Sequence, residues 1–364
     1  MKKLIFSIAA LMFCAPVSAR ITVGAERMNA YLPLLEGRRV GVVTNHTGMV
    51  GRRHLVDTLL ARKVRVELVF APEHGFRGTA AAGEHVDSGR DAATGLEIVS
   101  LYGANRKPRP EQIRRCDVVL FDIQDVGCRF YTYLSTMHLV MEACAAEGVP
   151  FVVLDRPNPN SPMGVDGPLL DVERHRSFVG MHPIPVLHGM TLGELARMIN
   201  GERWTAGLRQ CDLTVIECEG WTRNMTYELP VAPSPALPNM RAVRLYPSLC
   251  FFEATAVSVG RGGEAPFQVL THPDGMVVDL RHTPSDEVVV AAGIDLAWLI
   301  DAYREVGDTP GGRKFLSTFF ENLMGVDWVR TMIESGATAD EIRARWAPDV
   351  ARFTSQRKPY LIYE

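Results

Sequence analysis

The run Val69-Phe-Ala-Pro-Glu-His-Gly-Phe-Arg-Gly78 ends an apolar, β-branched stretch on a carboxylate, an imidazole and a guanidinium set between glycines. Glu73 can give or take a proton, His74 can orient it or bind a hydroxyl, and Arg77 can hold an anion by two parallel hydrogen bonds. Other apolar runs stop in the same way. Thr44-Asn45-His46-Thr47-Gly48, Asp122-Ile-Gln124-Asp125 and Asp155-Arg156-Pro-Asn158 each place polar side chains straight after a β-branched segment. Open α/β sheets bind ligands outside the carboxyl ends of their strands, so several polar strand ends in one sheet point to a site. The bland readings are local: Asn45 and Thr47 as caps of a following helix, Asp155 with Pro157 and Pro159 as turn chemistry.

The elements that must hold these groups are legible in the first half. Arg39 to Val43, Val64 to Phe70, Glu97 to Leu101, Asp117 to Phe121 and Pro150 to Leu154 read as strands, with helices at His54 to Lys63 and Tyr133 to Glu147. That alternation is a βαβ series and predicts a mostly parallel sheet. Leu134, Met137, Met141 and Cys144 recur at three- and four-residue steps, which gives the second helix an apolar stripe to pack on the sheet. No G-x-G-x-x-G follows the first strand, so this Rossmann-type scaffold is not read as a dinucleotide site.

The texture changes near Asp171. Thr191 is the expected N-cap of a helix from Leu192 to Ile199 with Glu194 at its third position, which explains the Thr and the Glu but not His188. Leu213 to Cys218 reads as a strand, the proline-rich stretch Val231 to Pro238 as extended, and Phe251 onward as a strand running into Gly260-Arg261-Gly262-Gly263. Trp298 to Val306, Met324 to Ile333 and Ala339 to Trp346 read as helices, and Lys358 to Tyr363 as a closing strand.

Composition narrows the partners. The 364 residues carry a net charge of −3 with both signs dispersed, and Lys and Arg do not gather with aromatic residues, so no footprint for nucleic acid is present. Lys2 and Lys3 precede the apolar run Leu4 to Phe13, and Val17-Ser18-Ala19 supplies small residues at a cleavage position. Residues 1–19 are therefore expected to be a secretory signal peptide and the remainder an exported, periplasmic protein. The run is too short to span a bilayer, which takes about 20 apolar residues. Beyond the leader, cysteines at 116, 128, 144, 211, 218 and 250 are scattered without metal-type spacing and do not read as a disulfide framework, although an oxidising compartment leaves room for one or two bridges.

In order along the chain, Glu73-His-Gly-Phe-Arg-Gly78, Ala82-Gly83-Glu84, Phe121-Asp-Ile-Gln-Asp-Val-Gly127, Arg129-Phe-Tyr131-Thr-Tyr133, Asp155-Arg-Pro-Asn-Pro159, His188-Gly-Met-Thr-Leu-Gly-Glu194 and Gly260-Arg-Gly262 carry a resemblance over nearly all of the chain after the leader. Together they resemble the exo-β-N-acetylmuramidase family, the DUF1343 or YbbC-like proteins. The resemblance implies an α/β fold, with a Rossmann-like catalytic domain over residues 20–170 and a smaller α+β domain over residues 171–364 that completes a cleft. It implies exo-acting glycoside hydrolysis that releases N-acetylmuramic acid from the non-reducing end of peptidoglycan fragments such as MurNAc-GlcNAc, without a cofactor and with Glu73 as the catalytic glutamate. Two departures fall in the second domain: Ala236 stands where many members carry Asn, and Ser258-Val-Gly-Arg-Gly-Gly263 has Val and Gly where many carry Glu and Thr.

Glycoside cleavage needs an acid for the leaving oxygen and usually a second carboxylate as base or nucleophile. With Glu73 as proton donor, Asp125, Glu253 and Glu264 are the candidates for the second, in falling order, and Asp122 is read as structural. The sugar's own acetamido group is an alternative to all of them. The lactyl carboxylate of muramic acid calls for a cation, for which Arg77, Arg129 and Arg261 stand. Tyr131 and Tyr133 are suited to stacking on a sugar face, with at least one of them expected in the core, and Asn45, His74, Glu84, Gln124 and His188 complete the expected substrate contacts. Two rival classes use the same residues. One is a non-catalytic periplasmic muropeptide or sugar binder. The other is a metal-dependent hydrolase built on Glu73, His74, Glu84, His85 and Asp87, whose spacing matches no ligand motif.

Overall fold

The computed structural model describes residues 20–77, 88–308 and 314–364. The expected leader, residues 1–19, and Glu84, His85 and Asp87 lie outside the described residues.

The first half builds the expected sheet. In chain order its strands are β1 (Arg39–Thr44), a small hairpin of β2 (Met49–Val50) and β3 (Arg53–His54), then β4 (Arg65–Ala71), β5 (Gly89–Arg90), β6 (Glu97–Ser100), β7 (Val118–Asp122) and β8 (Phe151–Leu154). With β9 (Leu213–Ile216), the order across the seven-stranded sheet is β5-β6-β4-β1-β7-β8-β9. All neighbours are parallel except β5, which runs antiparallel to β6. From β1 the chain steps outward to β4 and β6 on one side, then to β7, β8 and β9 on the other. The order reverses between β1 and β7, the position where open sheets of this kind form a crevice. Because β9 pairs with β8, the sheet draws a strand from well beyond residue 170.

Both faces of the sheet are covered, which is why its strands read as continuous apolar runs rather than alternating ones. Helices α1 (Met28–Leu35) and α2 (Leu55–Ala61) pack over Val40, Val42, Val69 and Leu120. On the other face, α3 (Pro110–Ile113), α4 (Tyr133–Glu147) and, beyond the short α5 (Val172–His175), α6 (Leu192–Gly201) pack over Val43, Phe70, Phe121 and Phe151. The α4 bounds are those expected from its stripe. Thr191 caps α6 as expected: its hydroxyl accepts from Glu194 N at 3.2 Å, and the Glu194 carboxylate accepts from Thr191 N at 3.0 Å.

The second half departs from expectation at its apolar runs. Helix α7 (Met240–Leu249), which the sequence reading did not include, starts where the Asn239 side chain accepts from Ala242 N at 3.0 Å. The stretch from Phe251, expected as a strand, is its 3-10 continuation, Cys250–Ala254. Phe251 and Phe252 have strand-like propensity, but both are buried in the core and tertiary packing overrides that preference. A hairpin of β10 (Val269–Thr271) and β11 (Val277–Asp279) follows, then helices α8 (Asp286–Ala292), α9 (Ala297–Val306), α10 (Phe319–Met324), α11 (Trp328–Glu334) and α12 (Ala339–Gln356). The single helix expected from Met324 to Ile333 is divided by Gly325, whose φ of +82° ends α10 in the left-handed region. Lys358–Tyr360 is a 3-10 turn rather than the start of a strand, and Ile362 N and Tyr363 N beyond it donate to Glu194 at 2.8 and 3.3 Å. One apolar core runs from the α4 face of the sheet through Phe251 and Phe320 to Trp346, so the two halves share it. The cysteines from 116 to 250 are all buried free thiols. Among the described residues no helix is long and apolar enough to cross a membrane.

Candidate active site

The carboxyl edge of the sheet divides into a closed part and an open part. On the β7–β8–β9 side the polar strand ends bond mainly within the protein, although Gln124 Oε1 and Asp125 Oδ2 are buried without a partner among the described residues. Arg156 reaches the two oxygens of Asp122 at 2.6 and 3.0 Å and donates to the Met49 carbonyl at 2.8 Å. Asp155 accepts from the hydroxyls of Thr191 and Tyr363, each at 2.7 Å, and from Gly193 N at 2.8 Å, while burial pushes its carboxyl up to about 6. Gln124 donates to the carbonyls of Asp125 and Pro157, both at 2.8 Å. Asp125 accepts from Gly127 N at 2.7 Å, and desolvation pushes its carboxyl up to about 7. Asn45 accepts from Thr47 N at 3.0 Å and donates to the Tyr133 hydroxyl at 2.8 Å. It forms a turn into the β2–β3 hairpin, not a helix cap.

The expected anion and sugar contacts in this region are committed to the protein's own backbone and carboxylates. Arg129 is 1% exposed and donates to the carbonyls of Pro168, Ile184, Leu323 and Met324 at 2.7–2.9 Å; burial lowers its pKa to about 9. His188 is buried, its Nδ1 accepts from Met190 N at 3.2 Å, and desolvation pulls it down to about 3. Arg77 pairs with Asp91 at 2.9 Å and Asp57 at 3.5 Å, its guanidinium 4.3 Å from the Phe76 ring centroid. Asn45, Arg77, Gln124, Asp125, Arg129 and His188 are not among the described residues that line the cavity at the open part.

That cavity has a volume of about 450 Å³, within the range of small-molecule sites. Glu73 and His74 enter it from the turn after β4, where His74 and Gly75 both have left-handed φ, +70° and +77°, and Gly75 N donates to the Pro72 carbonyl at 3.0 Å. Glu73 is half-buried, and its Oε2 accepts from the Thr132 hydroxyl at 2.8 Å. Thr132 stands at the N-terminus of α4, so the strand end and the helix start are joined at the carboxylate. Tyr131 and Tyr133 also face the cavity and donate to the Pro233 carbonyl at 3.0 and 3.3 Å, which ties the aromatic wall to the proline-rich segment. Burial, with the nearby Glu73 charge, pushes the Tyr133 phenol far above its ordinary range. Ring contacts of 4.9 Å between Tyr131 and Tyr133 and 5.0 Å between Tyr246 and Phe267 extend this wall.

From the second half come Glu253, in the 3-10 turn after α7, and Arg261, which is ion-paired with it and lies 5.0 Å from the Phe267 ring centroid. Gly260 and Gly262 flank Arg261 with φ of +71° and +77°, a backbone that glycine adopts without strain. Glu264 is exposed. Of the residues singled out from sequence, Glu73, His74, Tyr131, Glu253 and Arg261 are thus brought together. Thr132, Tyr102, Arg106, Phe178 and Asn322, which the sequence reading did not select, line the same space. Thr132 lies inside the Arg129–Tyr133 motif, where a threonine gives no chemical signal of its own; the others carry no local pattern. Two carboxylates on one aromatic-walled cavity suit acid-base chemistry on a sugar. Among the described residues no group of three or more His, Cys, Asp or Glu side chains is placed to hold a metal ion.

Comparison with known proteins agrees with this architecture. The chain matches the family described as exo-beta-N-acetylmuramidase NamZ in two parts, its N-terminal region over residues 40–241 and its C-terminal region over residues 244–283 and 285–363. It is 36% identical over 372 residues to the peptidoglycan beta-N-acetylmuramidase NamZ of Bacillus subtilis (strain 168), across 92% of this chain and 89% of that protein. A DUF1343 family protein of Bacteroides fragilis, solved at 1.30 Å, superposes with a TM-score of 0.87 at 46% identity, across 95% of this chain and 99% of that one. A second DUF1343 protein of the same organism, solved at 1.65 Å, gives 0.77 at 28% identity over the same shares.

Proposed function

The chain belongs to the NamZ family of exo-β-N-acetylmuramidases, and from that premise we propose that it hydrolyses the glycosidic bond of a terminal, non-reducing N-acetylmuramic acid in peptidoglycan fragments, with Glu73 as proton donor. The observation that carries this reading is the Glu73 carboxyl, oriented by Thr132 at the end of β4 and set into an aromatic-walled cavity. Glu73 would protonate the departing oxygen while the aromatic wall holds the face of the sugar ring. For the second carboxylate, Glu253 takes precedence over Asp125. Glu253 lines the cavity with its orientation set by Arg261, whereas Asp125 is buried beside Tyr131 and Tyr133. Either Glu253 or the substrate's own acetamido group would then support attack at the anomeric carbon.

Incubation with MurNAc-GlcNAc should release free N-acetylmuramic acid, and GlcNAc-MurNAc should remain intact. Glu73→Gln is expected to lower kcat by about 10²–10⁴-fold while substrate is still bound. A normal turnover rate for that variant would remove Glu73 from the role. Activity is expected to survive exhaustive chelation; loss restored by zinc would favour the metal-dependent reading. We also infer export: Lys2, Lys3 and the apolar run Leu4 to Phe13 have the form of a leader, so the mature chain should begin at Arg20 when its N-terminus is sequenced.

A further inference from the structure

N-acetylmuramic acid differs from N-acetylglucosamine by the lactyl ether, whose free carboxylate is negative at neutral pH. An enzyme that selects for that group gains most from a cation that no protein carboxylate already neutralises. The arginines expected to serve are committed elsewhere: Arg77 to Asp91 and Asp57, Arg129 to four backbone carbonyls, and Arg261 to Glu253. Arg106 is different. It lines the same cavity as Glu73, from the loop after β6, and among the described residues it has no carboxylate partner. Its guanidinium carbon lies 4.5 Å from the centroid of the Phe178 ring, itself part of the cavity wall. A guanidinium stacked on an aromatic face keeps its in-plane N–H edge available, the geometry that grips a carboxylate by two hydrogen bonds. Phe178 thus restrains a long, exposed side chain that would otherwise lose rotamer entropy on binding.

Resting on the muramidase reading, we propose that Arg106, oriented by Phe178, is the specificity-determining residue that recognises the free lactyl carboxylate of the terminal sugar. The side chain sits on an exposed loop, so its replacement leaves the core untouched.

The test compares the full-length protein with Arg106→Gln and Arg106→Lys on a chromogenic muramide bearing the free lactyl acid and on its lactyl methylamide. Arg106→Gln should lower kcat/KM for the acid by about 10–100-fold and leave the amide within about twofold, and Arg106→Lys should recover part of the loss. If the amide is turned over too slowly to follow, the inhibition constants of free N-acetylmuramic acid and its lactyl amide give the same comparison. An Arg106→Gln enzyme that cleaves the acid normally, or that loses equally on acid and amide, overturns the proposal. A wild-type enzyme that cleaves neither compound and is inhibited by neither sugar overturns the muramidase reading itself, and the assignment of Arg106 with it.

Discussion

The Thr132 hydroxyl holds one oxygen of Glu73 from the helix side of the cavity, so the plane of the carboxyl depends on a neighbouring side chain with no acid-base chemistry of its own. Thr132→Val keeps the shape and removes the donor. It should lower kcat about tenfold with KM within about twofold, whereas Thr132→Ser should retain most of the rate; steady-state kinetics on MurNAc-GlcNAc, with unfolding curves showing both variants fully folded at the assay temperature, checks this. Asp125 gives a different forecast. Burial raises its folded-state pKa to about 7, above the ordinary value of about 3.9, so between those values the folded protein holds a proton that the unfolded chain has released. Its contribution to stability is present below about pH 4 and is lost as pH rises towards 7. Asp125→Asn, which cannot ionise, should therefore be more stable than wild type at pH 8 by about 1–3 kcal/mol and close to it at pH 4, as urea unfolding at the two pH values will report. The sequence marked Glu73 as a polar group at a strand end that does open on the cavity. It could not separate the polar groups that face the cavity from those that satisfy the backbone of irregular segments, as Arg129 and Gln124 do, since both kinds follow strands in the same way.

Elements with a strong local signal were readable, and those decided by distant packing were not. Helix α4 has its apolar stripe and ends where Gly148 adopts the left-handed conformation, so its bounds are written locally. Helix α7 and its 3-10 extension contain Pro247 and a pair of phenylalanines, which argue against a helix until the facing core is known. The break between α10 and α11 has a use that no periodicity reveals. A Cβ at Gly325 would lie 2.6 Å from Arg129 Nη2, so the glycine both turns the chain and lets the arginine approach the end of α10. Gly325→Ala combines left-handed strain with that clash and should cost about 2–4 kcal/mol of unfolding free energy in denaturant titration.

At the scale of the molecule, the second half closes the cavity and is also bonded into the first. Arg129 joins the segments around Pro168 and Ile184 to the end of α10, and the Tyr363 hydroxyl donates to buried Asp155 while accepting from Cys218 N at 2.8 Å. Tyr363→Phe leaves both partners short of a hydrogen bond inside the protein and is expected to cost about 1–3 kcal/mol, seen as a lowered Tm in calorimetry. Such contacts join residues far apart in the chain, which is why the parallel sheet could be foreseen and the fastening of the tail to it could not. The groups that fasten the molecule, Asp122, Arg156, Asp155 and Glu194, lie on the closed part of the sheet edge, while Tyr102 and Arg106 are supplied to the cavity by the loop after β6 and Phe178 by the segment after α5. Rim loops of this kind can change without disturbing the bonds that keep the fold. Redesign of which sugar is accepted should therefore begin there, because the proposed selectivity determinant and the bonds that hold the fold lie in different stretches of the chain.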